Sequence, residues 1–149
     1  MTGWIADNLT DINSRATDMT PLELLSHYDS GLPWPVAPSA AAGFDVTAAY
    51  QQALAVRALR LARGEQPRGF KIGFTNRGIW ARYGVDGPMW GAVYDRTLVF
   101  SSENKAVIPL AGLMQPRIEP EICFKLKSAP PVTRNPQALL DCIEWIAHS

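Results

Sequence analysis

The sequence has no surplus of charge of either sign, with 14 Lys and Arg against 14 Asp and Glu in 149 residues. Proteins that neutralise phosphates or anionic lipid need a positive excess, so nucleic acid and membrane are not expected partners. Cysteine is nearly absent. Cys123 and Cys142 form neither a C-x-x-C motif nor a dense framework, and both are expected as free, buried thiols with no disulfide. Histidine is as scarce: His27 and His148 belong to no H-x-x-x-H or Cys/His array, which argues against a zinc site of the usual kind. There is no G-x-G-x-x-G, no Walker loop and no G-x-S-x-G elbow. Nor is there an apolar run long enough to span a bilayer, and "MTGWIADNLTDINSRATDMT" lacks the apolar stretch of a signal peptide, so a cytoplasmic protein is expected.

What is present is a chain of single-domain size with 47% hydrophobic residues, enough for a core. "TPLE" at 20–23 starts a helix: Thr20 can cap, Pro21 suits the first helical position and Glu23 can reach back. That helix should run to about Tyr28 and stop by Gly31. The following "SGLPWPVAPSAAAGFD" is too rich in proline and glycine for a regular element, yet Trp34 and Phe44 suggest a connection docked on a body. From Asp45 as cap, "DVTAAYQQALAVRALRLARG" reads as a long helix ending at Gly64, with Tyr50, Ala53, Leu54, Arg57 and Leu61 at helical spacing. The period then changes to two. In "GFKIGFT", Phe70, Ile72 and Phe74 share one face and Lys71, Gly73 and Thr75 the other, the pattern of a half-buried strand. "TLVF" and "AVIPL" read as short strands around the turn-rich "SSENK", and "NPQALLDCIEWIAHS" opens as a helix capped by Asn135.

The stretch "QPRIEPEICFKLK" at 115–127 raises the chemical question. As a strand over 117–126 it would place Ile118, Pro120, Ile122, Phe124 and Leu126 on a core face, and Arg117, Glu119, Glu121, Cys123 and Lys125 on the other. Two carboxylates at i and i+2 are then roughly 7 Å apart, within reach of one cation. The same pattern also fits a solvated face whose charges Arg117 and Lys125 balance. Pro120 removes a ladder donor and places the segment at an edge or an irregularity. Oxygen ligands of this kind suit Mg²⁺ or Mn²⁺. Lys71 is the second candidate, either as an exposed strand lysine or as a desolvated amine able to shuttle a proton.

Taken together, "AAYQQALAVRALRLARG" (48–64), "GFKIGFTNRGIWARYGVDGPMWG" (69–91) and "PRIEPEICFKL" (116–126), in this order, resemble the 2-keto-4-pentenoate hydratase branch of the fumarylacetoacetate hydrolase superfamily. The resemblance implies a divalent-metal enzyme acting on a small 2-oxo acid, with Glu119 and Glu121 of E-P-E as ligands to Mg²⁺ or Mn²⁺. It implies Lys71 of K-I-G as the proton-transfer or substrate-positioning residue. The activity implied is hydration of a 2-hydroxy-2,4-dienoate to a 4-hydroxy-2-oxo acid. Decarboxylation or C–C hydrolysis of related oxo acids uses the same electron sink and stays open.

The match departs from the family in two places. Where hydratases of this branch tend to carry P-D-F-G, this chain has "PMWG", so Met89 stands at the acidic position, with Asp86 nearby. Trp90 beside it implies a more apolar wall and a substrate contact alongside Lys71. Family members are also longer, and their third metal-binding glutamate follows the segment matching "CIEWIAHS", with Glu144 falling before that position. The fold implied is α+β: a helical region over 1–65, then the first part of a mixed rolled β-sheet over 66–149, the two forming one structural unit that assembles as a homo-oligomer. With two of three carboxylates, the 149-residue chain is expected not to turn over by itself, leaving as a rival class an inactive module that joins a partner through an exposed sheet edge.

Overall fold

The computed structural model describes residues 19–35, 37 and 44–149. Residues 1–18 of the N-terminal stretch read as lacking a signal peptide, and residues 36 and 38–43 of the proline-rich connection, lie outside the described residues. Helices and small antiparallel sheets make an α+β chain that divides into two compact units, Met1–Met114 and Gln115–Ser149.

In the first unit, α1 (Pro21–Ser30) begins with the foreseen capping box: Thr20 accepts from the Glu23 N–H, and Glu23 accepts from the Thr20 N–H at 2.7 Å. Those bonds from Thr20 hold the Glu23 carboxyl below its usual range. The helix ends at Gly31 in the left-handed conformation, φ 66°, and the Gly112 carbonyl oxygen lies where a Cβ on Gly31 would project. Asp45 caps α2 (Val46–Ala62) by accepting from the N–H groups of Thr47 and Ala48. The two helices pack together, and α2 leads through Gly64 and Glu65 into β1 (Pro67–Gly73).

An ion network joins these pieces. Glu65 is 1% exposed and Arg60, on α2, is 8% exposed. Arg60 donates to Glu65 from Nε at 2.8 Å and from NH2 at 2.6 Å. Its guanidinium lies 3.8 Å from the ring centroid of Tyr94 and 4.6 Å from that of Tyr28. Arg63 donates to the other Glu65 oxygen and bridges to Asp29 of α1 at 2.5 Å. Burial alone would push the Glu65 carboxyl up, but the bonds from Arg60 and Arg63 outweigh it and hold the group below its usual range. This network explains why helices and ribbon share one unit: its members come from α1, α2, the α2–β1 link and the end of β2.

After β1 the chain makes a 3₁₀ turn (Arg77–Ile79) and the short α3 (Trp80–Tyr83), then returns as β2 (Met89–Tyr94), antiparallel to β1. The strands expected at "TLVF" and "AVIPL" do not form. Thr97 closes a 3₁₀ turn, Ser102 and Lys105 make an isolated bridge, and 106–110 has no regular structure. Glu103 and Asn104 both have positive φ, as in a two-residue hairpin turn, but the pairing does not extend beyond the Ser102–Lys105 bridge.

The second unit is a ribbon of β3 (Ile122–Leu126) and β4 (Ile143–His148), antiparallel, joined by a loop and α4 (Pro136–Leu140) with Asn135 as the foreseen cap. The sequence showed the helix start and not the strand after it.

Among the described residues the buried apolar side chains are Leu25, Tyr94 and Cys142. Both cysteines are free, Cys123 only half-buried. A larger core was expected. Trp34 and Phe44 are exposed, and on β1 Phe70 and Ile72 are 64% and 54% exposed where a half-buried face was read. Two-stranded ribbons have no third layer to cover an apolar face. No helix of the described residues is long and apolar enough to cross a membrane.

Candidate functional site

Lys71 lies in the middle of β1, directly across from Gly91, with Gly69 and Gly73 as its neighbours two residues away on the same face. None of the three glycines has the left-handed φ that would demand one, and a Cβ at each would meet nothing within 4 Å. Each of these three positions thus has room for a side chain that the sequence does not supply.

Trp90 is across from Ile72, which puts it on the opposite face of the ribbon from Lys71. Its ring meets Phe70 edge-on at 5.5 Å and stacks on Tyr50 of α2 at 5.2 Å, while its backbone N–H donates to the Tyr50 hydroxyl at 3.0 Å. Phe70, Ile72, Pro88, Met89 and Trp90 line an open, wholly apolar depression there. The ladder thus separates the two residues expected to contact one substrate, because adjacent register positions alternate in direction. Met89 pairs with Gly73 at the end of the ladder, and Asp86 is an exposed turn residue ahead of β2.

The ribbon that carries Lys71 is held at its ends. At its start, the Gln66 N–H donates to the Asp95 carboxylate at 2.9 Å and the Asp95 N–H to the Gln66 carbonyl at 2.9 Å. The bond from Gln66 is the main cause that keeps the Asp95 carboxyl below its usual range. At its finish, Phe74 adopts φ 55°, its carbonyl accepts from the Trp80 Nε1–H at 2.7 Å, and its ring meets Tyr83 edge-on at 5.5 Å. Neither Tyr50 nor Trp80 stood out as a site element in the sequence. Tyr50 was visible only as one apolar position of a helical stripe, and nothing in the sequence marked Trp80.

In the second unit the E-P-E segment does not form the interior of a strand. β3 begins at Ile122, and Glu119 and Pro120 precede it. Glu121 still pairs, its N–H donating to the Ser149 carbonyl at 2.9 Å and its carbonyl accepting from the Ser149 N–H at 3.1 Å. The ladder stops at Pro120, which has no N–H to donate. Glu121, Cys123 and Lys125 share a face as expected, but the other face is not core, with Ile122 and Phe124 both exposed. Lys125 bonds to Glu144 at 2.9 Å, and its ammonium lies 5.9 Å from the Trp145 ring.

Among the described residues no group of three or more His, Cys, Asp or Glu could hold a metal ion. What the segment offers is two carboxylates, Glu119 exposed and Glu121 half-buried, on a chain that Pro120 and the Glu121–Ser149 pairing restrain. All-oxygen donors with open sides fit a hard cation that keeps several waters. Lys71 and Trp90 belong to the first unit and the two glutamates to the second.

No protein-family model matches the sequence. Curated relatives do. The chain is 36% identical over 88 residues to a 4-oxalocrotonate decarboxylase of Pseudomonas sp., covering 59% of this chain and 33% of that protein. It is 36% identical over 102 residues to a 2-hydroxyhexa-2,4-dienoate hydratase of Comamonas testosteroni, covering 66% and 38%. With a 2-hydroxypent-2,4-dienoate hydratase of Pseudomonas putida it shares 38% identity over 95 residues, covering 62% and 41%. The chain therefore spans between a third and about two fifths of the length of these relatives. Others are named 2-keto-4-pentenoate hydratase. By sequence, the chain is a relative of the 2-keto-4-pentenoate hydratases over part of its length and of theirs.

Proposed function

We propose that this chain serves a hydratase reaction, in which water adds to a 2-hydroxy-2,4-dienoate to give a 4-hydroxy-2-oxo acid. The observation that carries the reading is that relatives from two organisms are named for hydration of such dienoates. The restrained carboxylate pair and a strand lysine flanked by glycines are the groups this chemistry calls for. Glu119 and Glu121 would hold Mg²⁺ or Mn²⁺, which when bound supplies stabilisation of the negative charge developing at the keto oxygen. Ketonisation of the dienol, which loses its enol O–H proton and gains one at C5, leaves a C3–C4 double bond conjugated with the keto group; Lys71 would then handle the proton that joins C3 while the hydroxyl of water joins C4. On this reading the two ribbons are pieces of a rolled sheet, and the protein is a homo-oligomer acting on a small 2-oxo acid.

A second reading, decarboxylation, is favoured by the relative named 4-oxalocrotonate decarboxylase. A panel of 2-hydroxydienoates, oxalocrotonate-like diacids and acylpyruvates, followed by ultraviolet absorbance and product mass, separates the two. A product heavier than the substrate by one water supports the hydratase, and loss of CO₂ without water uptake sinks it.

A further inference from the structure

A left-handed phenylalanine is costly, since a bulky L-residue at positive φ brings its Cβ against the neighbouring carbonyl. Phe74, at φ 55°, comes directly after the strand that carries Lys71. Such strain persists only where the surroundings over-determine it. Here the surroundings are two contacts from one four-residue helix: the Trp80 indole N–H on the Phe74 carbonyl at 2.7 Å, and the Tyr83 ring edge-on to the Phe74 ring at 5.5 Å.

The nearest anchor on the ribbon short of this turn is at the Ile72–Trp90 pair, where Trp90 stacks on Tyr50 and its N–H donates to the Tyr50 hydroxyl. Phe70 and Ile72 are exposed, so burial does not hold the strand, and Gly73, between Ile72 and the turn, has no side chain with which to pack. The ladder ends at the Gly73–Met89 pair, two residues beyond Lys71. The other end of the ribbon is tied by the exchange between Gln66 and Asp95. A clamp on Phe74 therefore acts beyond the last anchored pair, where fraying through Gly73 would begin before it reached Lys71.

We propose that Trp80 is a positioning residue for Lys71, holding the end of β1 through its bond to the Phe74 carbonyl so that the lysine keeps a fixed place on its glycine-lined face. The inference rests on the reading of Lys71 as the proton-handling group. A loose strand end would disperse the ammonium over many positions, and proton transfer falls steeply with misplacement of that kind.

The test is competitive acetylation of the 149-residue chain across a pH series, read by mass spectrometry at Lys71, with Lys105, Lys125 and Lys127 as internal standards. Trp80→Phe keeps the ring and removes the donor. The Lys71 labelling profile is expected to change about threefold while the standards stay put, since amine reactivity follows local environment. Phe74→Gly removes the strain, because glycine takes the left-handed turn without a clamp, so Trp80→Phe in that background should leave the Lys71 profile close to that of Phe74→Gly alone. An unchanged profile in Trp80→Phe overturns the proposal, as does an equal change in both backgrounds, which would mean that the bond does not act through the turn. Failure of the underlying reading shows elsewhere: in a version extended through a further acidic segment, turnover of the dienoate that survives Lys71→Met would remove the lysine's role, whatever the labelling shows.

Discussion

Two ion pairs in this chain have similar lengths and opposite settings. Arg60 meets Glu65 at 2.6 Å with both side chains buried, whereas Lys125 meets Glu144 at 2.9 Å with both largely in water. In the first, both groups have further partners: the Arg60 guanidinium lies over the rings of Tyr28 and Tyr94, and Glu65 takes a second arginine. In the second, the partners are long, screened and free to exchange for solvent. The comparison teaches that contact distance says little about what a pair does. The buried pair decides how α1, α2 and the β1–β2 ribbon sit together, and the exposed pair decorates a ribbon that the main chain already holds.

The largest expected effect is therefore at Glu65. Glu65→Gln leaves two arginines facing a neutral amide, and breaking a buried pair on one side typically costs about 3–5 kcal/mol. Urea unfolding at neutral pH, followed by intrinsic fluorescence, measures it, and a loss near zero would break the comparison. The pH dependence sharpens it. Because the folded Glu65 carboxyl is held below its unfolded value, its contribution is fully present above the unfolded carboxyl pKa of about 4.3. It is lost as pH falls through the lower folded value. The stability gap between the native chain and Glu65→Gln should thus narrow on acidification below about pH 4 and stay constant above about pH 5.5.

Gly31 and Gly64 pose a similar contrast within the first unit. Both have positive φ, 66° and 93°, but the Gly112 carbonyl oxygen blocks a Cβ at Gly31 while nothing lies within 4 Å at Gly64. Gly64→Ala should cost only the conformational share, about 1 kcal/mol. Gly31→Ala adds a clash with backbone and should cost roughly 2–3 kcal/mol in the same unfolding experiment. Equal losses would mean that the Gly31–Gly112 approach relaxes freely.

Local grammar made much of the helical part legible. Thr20 with Glu23, Asp45, and Asn135 with Pro136 all act as the caps their residue types suggest, because a cap needs only neighbours in sequence. The K-I-G strand was legible too, from its alternation. Burial was not. Period two says which residues share a face, and not whether anything covers it, so Phe70, Ile72, Ile122 and Phe124 read as core and are exposed. The Arg60–Glu65 network escaped notice because an arginine within an apolar helix stripe looks like a solvated end, and its partner is five residues on, past the helix stop. In the candidate site the residue types of Lys71, Glu119 and Glu121 were legible, but the register that turns Trp90 away from Lys71 was not, since it depends on which residues of β2 pair with β1.

The candidate site extends the comparison from stability to chemistry. Glu119→Gln or Glu121→Gln should weaken Mn²⁺ binding about tenfold, since a neutral amide is a poorer ligand for a hard cation. Lys71→Met should leave that affinity alone and lower turnover instead. Calorimetric titration of Mn²⁺ into the 149-residue chain and into a version extended through a further acidic segment measures the first, and dienoate turnover by the extended version the second. A Lys71→Met variant that loses the metal as well would contradict separate roles for the two units.

The smallest effect belongs to the exposed pair. Glu144→Gln removes one partner of Lys125 but strands no charge, because the ammonium is about half exposed and water replaces the carboxylate. Exposed pairs of this kind are worth about 0.2–1 kcal/mol, and this one should fall near the lower end and vanish in 1 M salt. Lys125→Met should differ in character. The lysine ammonium also lies 5.9 Å from the Trp145 ring centroid, a contact worth about 0.5–1 kcal/mol at an exposed site and less sensitive to salt. A double-mutant cycle between Lys125→Met and Glu144→Gln at low and high salt separates the two contributions. The coupling should be small and salt-dependent, with the rest of the lysine's effect surviving in the Glu144→Gln background. A salt-independent coupling above about 1 kcal/mol would place Lys125–Glu144 in the same class as Arg60–Glu65, and burial would no longer be what distinguishes them.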